Sequence, residues 1–374
     1  MQEVDLKALG THVLGAAFRL SVLFGAIARR TQFCTMGALA DIVTMGDWAR
    51  MRRWVLAMGV AMIGCNAMVA LGGLEASNSI CAGSRLMWRS MIVGGAKFGF
   101  GMLLASGCGA KTLVRIGGGN LKSLMVLIVL IVLGVAAVST LKGITAVARV
   151  ASVDAVAITF SAGQDLPFLR AASAGVPKPV LAAVIGPLLG GGLIAWALSQ
   201  AEGRAFNNPL AGGGLGVIVV AAWWVSGRMG HVAEDPSSLQ EAVVATNSKR
   251  MESLSCVAPV ACTLDWLMLF CARRKLLTTG IVSVFGLVAG SAAHALLTRS
   301  FRREGFRDAP DTGKHLIGAL LMGVGGVTAL GCTVGQGLSG VATLSVGSFI
   351  ALAAIIGGAI VALPWQAWCI EQAV

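Results

Sequence analysis

The sequence predicts an all-α integral membrane protein made of two related halves. Three observations carry that reading: high hydropathy, about nine long apolar stretches and an internal repeat. Of 374 residues, 56% are hydrophobic and 12% charged, where an ordinary soluble domain carries about 25% charged residues. Mean hydropathy is +0.81. No single water-soluble core can hide that much apolar surface, so the bilayer is the expected solvent. Stretches at 11–28, 54–74, 91–107, 121–140, 179–199, 213–229, 277–298, 315–331 and 346–369 reach or approach the roughly 20 apolar residues that span a hydrocarbon core. The repeat shows as one offset of 224 residues shared by Gly94/Gly318, Gly99/Gly323, Gly101/Gly325, Ala105/Ala329, Gly107/Gly331 and Cys108/Cys332.

The elements follow in chain order. Positions 1–10 include Glu3, Asp5 and Lys7 and lack the basic start and small-residue cleavage site of a signal peptide, so the first span is expected to be retained. The apolar piece at 31–46 is too short to cross and reads as a re-entrant or interfacial segment. Spans near 54–74, 91–107 and 121–140 complete a first half over 11–140. A connecting region, 141–253, holds a marginal amphipathic stretch (Ile144, Val147, Val150, Val153, Ala157), a Gly/Pro loop, the span containing Pro187, a further span and the polar linker 230–253. The second half, 254–369, opens with a counterpart of the short piece at 254–271. There Leu264-Asp265 stands 224 residues from Ala40-Asp41, but Cys256 lies only 222 from Cys34, so the register slips. Trp54, Trp88, Trp196, Trp223, Trp224, Trp365 and Trp368 fall near span ends, where aromatic rings favour the headgroup layer.

The net charge of +12 first suggests cytoplasmic loops under the positive-inside rule. Nucleic acid is a poor explanation, because no polar stretch is long enough to fold into a domain that displays a basic face. Orientation does not follow from the count. Arg29, Arg30, Arg50, Arg52 and Arg53 form one basic shore and Arg299, Arg302, Arg303, Arg307 and Lys314 another, yet Arg273, Arg274 and Lys275 sit at the opposite end of the 277–298 span. The histidines at 12, 231, 294 and 315 are scattered and no Cys-x-x-Cys occurs, which argues against a zinc site; no cofactor is expected. Gly107-Cys108-Gly109-Ala110-Lys111-Thr112 has Ala110 where a phosphate-binding loop needs glycine, and no strand precedes it. Cys65, Cys81, Cys271 and Cys369 read as small hydrophobes.

The chemistry is expected at the glycine-cysteine turns. In 105–120 and 330–340 an apolar helix runs into a glycine-rich polar turn carrying Gly107, Cys108 and Gly109 or Gly331, Cys332 and Thr333. Broken backbone at membrane depth is tolerated only where protein buries it or it lines an aqueous cavity. Each thiol is therefore expected to face a passage, with helix ends presenting N–H groups to an anion. Cys34, opening the short segment, joins that route if the segment dips into the membrane. A thiol is a weak donor and weak acceptor, better suited to a large polarizable sulfur atom than to a strongly hydrated oxyanion. Lys111 and Arg115, at the first turn, either meet the anion or neutralise lipid phosphate or an acidic neighbour. Arg19 is a candidate to pair with Asp41 or Asp265, and Lys97 to snorkel.

The runs Arg-Arg-Thr-Gln-Phe-Cys at 29–34, Gly-Cys-Gly-Ala-Lys-Thr-Leu-Val-Arg-Ile-Gly-Gly-Gly-Asn-Leu-Lys-Ser-Leu at 107–124 and Gly-Cys-Thr-Val-Gly-Gln-Gly-Leu-Ser-Gly at 331–340 resemble the YeeE/YedE family of bacterial sulfur-compound transporters. The resemblance implies an hourglass-shaped, multi-pass protein of the bacterial inner membrane, with re-entrant helices from two pseudo-symmetric halves, that takes up thiosulfate and is not an enzyme. It further implies a relay in which the thiols matching Cys34, Cys108 and Cys332 pass the ion along by S–H···S contacts, and a TusA-like sulfur-carrier protein as cytoplasmic partner. Two alternatives stay open: transport of selenite or another sulfur or selenium oxyanion, and a membrane sulfurtransferase that forms a cysteine persulfide. The latter needs an activating base, and no histidine or carboxylate adjoins the three cysteines in sequence.

Overall fold

The apolar stretches fold as helices because lipid offers no partner for backbone N–H and C=O groups, and a helix satisfies them internally. The computed structural model describes residues 2–75, 78–81, 83, 85–142, 157–159, 178–200, 203, 207–232, 241–246, 248–268, 277–306 and 309–372. Ile144, Val147, Val150 and Val153 of the expected amphipathic stretch, residues 160–177 of the loop after it, and Arg273, Arg274, Lys275 and Arg307 lie outside these residues. Among the described residues twelve named α-helices follow in order: α1 (Gln2–Arg30), α2 (Thr35–Met45), α3 (Ala49–Ala70), α4 (Trp88–Leu104), α5 (Gly109–Gly117), α6 (Leu121–Lys142), α7 (Lys178–Leu198), α8 (Asn207–Trp224), α9 (Val257–Met268), α10 (Thr279–Leu297), α11 (Ala309–Thr328) and α12 (Val346–Glu371). A π-helix, Gly335–Gly340, precedes α12, and the sheet content among the described residues is two antiparallel ladders of two residues per strand.

Seven helical segments among the described residues are long and apolar enough to cross a membrane. The other two expected spans are α6, of 22 residues, and α11, of 20, which opens with Asp311, Lys314 and His315. Leu188, Val361 and Ile317 point outward, 70%, 65% and 57% exposed, as a lipid-facing surface requires. One continuous core contains Phe24, Trp54, Phe98, Met102, Met322 and the thiols Cys108, Cys256 and Cys332.

Packing interlocks the two halves. α1 lies along α10 and α8 along α3, while α4 lies along α12 and α6 along α11. At the centre α4 and α11 cross antiparallel through glycines that are repeat equivalents. A methyl group on Gly101 would sit 2.7 Å from the Gly318 carbonyl oxygen, and one on Gly325 would sit 2.8 Å from that of Gly94. With no hydrophobic drive between helices in lipid, such close backbone approach is a main source of association.

Helix ends gather into two rims. At one, Arg29 donates to the Ser300 carbonyl (3.1 Å), Arg53 to that of Thr31 (2.9 Å), Arg52 to that of Trp196 (3.1 Å), and Lys122 pairs with Asp311 (2.6 Å). At the other, the chain around 78–80 pairs with Met251 and Thr279 N–H donates to the Ala245 carbonyl (2.7 Å).

The structure changes three expectations about individual side chains. Trp54 and Trp223 are 2% and 1% exposed rather than at the headgroup layer. Trp54 packs on Gly337, and Trp223 donates to the Ser339 carbonyl (3.2 Å), so both rings wall the second turn. Asp41 pairs with Arg50 (3.1 Å) rather than Arg19, which is exposed on α1. Lys97 is exposed, as snorkelling needs.

Candidate functional site

Three helices end in the same way. At the ends of α4 and α11, Ser106 and Leu330 take φ of 56° and 58°, and Gly107 and Gly331 N–H groups reach back to the carbonyls of Met102 and Gly326, both at 2.9 Å. Ser106 N–H bonds to Leu103 and Leu330 N–H to Val327; this is the paired-bond Schellman stop, usually made with glycine. α1 closes likewise, with Gln32 at φ 53° and Phe33 N–H on the Ala28 carbonyl at 3.0 Å. Two residues after each left-handed residue comes a cysteine: Cys34, Cys108 and Cys332.

Each of these cysteines then starts a new helix. Cys34 N-caps α2, its sulfur accepting the Gly37 N–H at 3.4 Å, and Cys108 N-caps α5. Cys332 accepts the Gly335 N–H at 3.4 Å at the head of the helical stretch 333–342. Cys256, which sequence reasoning left without a role, immediately precedes α9. Four helix N-termini thus meet at four thiols, which are 6%, 2%, 1% and 0% exposed for Cys34, Cys108, Cys256 and Cys332. Each N-terminus carries about half a positive charge.

The thiols form a connected file. Cys34 and Cys108 lie side by side, close enough for their sulfurs to interact, as do Cys256 and Cys332. Between the pairs, Cys108 meets the Thr333 hydroxyl and lies within electrostatic reach of Cys256. Thr333 Oγ1 is fully buried beside Cys108 and has no hydrogen-bond partner. A Cβ on Gly109 would lie 3.5 Å from that of Cys256, so Gly109 lets the first turn approach the second half. Among the described residues no three His, Cys, Asp or Glu side chains form a cluster that could hold a metal ion.

The remaining expected residues divide in two. Lys111 covers Gly107 and acts electrostatically on Cys34; among the described residues its ammonium has no acidic partner and no hydrogen bond. Arg115 instead donates to the Ser106 carbonyl at 3.0 Å. In the second half Gln336 takes that part, donating to the Leu330 carbonyl at 2.8 Å and folding over Gly331. Each clamp satisfies a carbonyl in a left-handed turn away from water. Arg115→Met and Gln336→Ala are therefore expected to cost about 1–3 kcal/mol each, read as a lowered thermal midpoint of the purified protein; unchanged midpoints would show that the clamps are dispensable.

Inverted helical halves, broken helices and a buried polar file at their meeting point define a membrane transport protein. The chain matches the Sulphur transport family over residues 30–361 and belongs to it. It is 26% identical over 347 residues to the thiosulfate transporter TsuA of Escherichia coli (strain K12), covering 90% of each chain. A shorter match, 31% over 105 residues and 28% of this chain, links it to the probable transporter YedE of the same organism, of which it covers 24%.

Proposed function

We propose that the protein takes up thiosulfate across the bacterial inner membrane through the thiol file, as a transporter and not an enzyme. The observation that carries this reading is the contact order Cys34, Cys108, Cys256, Cys332 at four converging helix N-termini. Four half-charges sum to about +2, which offsets the desolvation of a dianion without a fixed counter-ion that would trap it. Thiols are weak donors, so each contact is shallow, and conduction requires sites that release as readily as they bind. The terminal sulfur of thiosulfate is large and polarizable and matches S–H better than hydrated oxygen does, while the spare Thr333 hydroxyl suits the sulfonate end. Lys111 draws the anion to the Cys34 end of the file; Gly107, Gly109, Gly331 and the Arg115 clamp shape the two turns.

We assign the rim holding Arg29, Arg52, Arg53 and Lys122 to the cytoplasm, where a sulfur carrier would dock, and the opposite rim to the outside. A TusA-like sulfur-carrier protein receives the sulfur at the basic rim; the family resemblance supports this partner. Moving a dianion inward against about 100 mV costs roughly 4.6 kcal/mol, so uptake must be coupled to something that offsets charge.

The test is accumulation of labelled thiosulfate by cells lacking other sulfur importers, with and without the protein, and with selenite, sulfite and sulfate as competitors. Expression-dependent uptake blocked by excess thiosulfate is expected. Equal uptake in both strains would refute the reading, and stronger competition by selenite would reassign the substrate. Cys256→Ala is expected to slow uptake about tenfold, the loss of one hydrogen bond to a charged group; wild-type rates would remove Cys256 from the file.

A further inference from the structure

Next to the Cys256/Cys332 pair, at the rim opposite the arginines, lies a cavity of about 140 Å³. Its floor is reached through Ser255 and Gly335, the immediate neighbour of Cys256 and the N–H donor to Cys332. The first turns of α9 and α10 border it at Pro259 and Gly280, so the positive end of α10 joins that of α9, already counted at Cys256, beside this space. In electrostatics and position it is a vestibule for an anion. Yet its wall also contains a carboxylate, that of Glu252.

Glu252 accepts hydrogen bonds from both the N–H and the hydroxyl of Ser248. Among the described residues it has no basic partner. Among the described residues, the titratable groups facing it from other elements are Cys81, on the segment between α3 and α4, and Cys262 of α9. The cavity walls contributed by α8, α10 and the π-helix present no titratable side chain to it, nor does α1 on its other side. Lys249 and Arg250 lie on its own strand segment, and the His231–Glu241 pair, 3.9 Å apart, stands at the same rim outside the lining. An ionised Glu252 fills the same positive field that an incoming dianion needs, and repels it.

We infer that the vestibule is a proton-linked anion site: Glu252 takes up one proton when a small divalent sulfur oxyanion enters, so that anion and proton bind together. This inference rests on the proposed transport function and supplies part of its charge compensation. Burial raises the Glu252 carboxyl above its ordinary range, the Ser248 hydrogen bonds working in the opposite sense. Burial also holds Cys81 up, at about 11, so that thiol stays protonated and silent. The sign is therefore fixed. Binding strengthens as pH falls toward and through the Glu252 value, by at most about tenfold per pH unit for one linked proton.

The experiment measures thiosulfate affinity of the purified full chain in lipid nanodiscs between about pH 5 and about pH 8, in buffers of different ionisation enthalpy to count protons. Wild type is expected to bind more tightly at low pH with net proton uptake. Glu252→Gln should bind with a flat pH profile at the wild-type acid-limit affinity, and Glu252→Asp should keep the slope. Ser248→Ala, which removes a hydrogen bond favouring the ionised form, should move the response to higher pH. A wild-type profile without slope, a Glu252→Gln slope equal to wild type, or an unmoved Ser248→Ala response would each overturn the inference while leaving transport intact. No thiosulfate binding at any pH by folded wild type would instead overturn the transport reading, and this inference with it.

Discussion

Replacing Cys108 with alanine is expected to cut thiosulfate uptake by about 10- to 100-fold while leaving membrane insertion unchanged. Cys108 meets Cys34 on one side and Thr333 on the other, with Cys256 in electrostatic reach, so it is the thiol through which the two halves join. Alanine removes a donor that nothing nearby replaces. A hydrogen bond to a charged group is worth about 1.5–3 kcal/mol, and about 1.4 kcal/mol is a factor of ten. Serine restores a donor of similar size and should recover part of the rate, with selectivity shifted toward anions without a terminal sulfur. Labelled uptake set against the amount of protein in the membrane fraction reads both effects. Wild-type uptake by the alanine variant would end the file as a mechanism.

A still larger effect is expected at the crossing of α4 and α11. A Gly101→Leu side chain must place its Cβ 2.7 Å from the Gly318 oxygen and 2.8 Å from the Met322 nitrogen, both backbone atoms of a packed helix that cannot turn aside. Overpacking costs about 1–3 kcal/mol where a core can adjust and more where it cannot. The variant should lose most of its monodisperse, detergent-extractable yield. Gly191→Ala, whose added methyl meets nothing within 4 Å, is the matched control. Equal yields for the two variants would show that the halves are not held together at this crossing.

The fold was legible where lipid leaves few choices. Spans follow from apolar length, and the repeat announced itself through Gly94/Gly318 and Gly101/Gly325, whose members the structure sets crosswise, Gly101 against Gly318 and Gly325 against Gly94. Cys108 and Cys332 were visible for the same reason. Cys256 was not, because its offset from Cys34 breaks the repeat by two residues and the single-file contact is a tertiary fact. The common turn before Cys34, Cys108 and Cys332 was equally silent. Gln32, Ser106 and Leu330 hold positive φ, where sequence reasoning looks for glycine or asparagine. Trp54 and Trp223 sit near span ends in sequence yet turn inward, since burial depends on which face a neighbour covers. Glu252 belongs to a stretch that reads only as a polar linker, and nothing local shows that it borders a cavity.

The two turn clamps, Arg115 on Ser106 and Gln336 on Leu330, imply a waist that stays put while solute moves through it. Bolted at both ends, the constriction has little freedom to widen, so a passing ion must strip its own hydration to fit. Discrimination then falls on the ease of dehydration. On the proposed reading, sulfate, whose four oxygens hold water tightly, is expected to be turned away by the same rigidity that would admit an ion with one bare sulfur end.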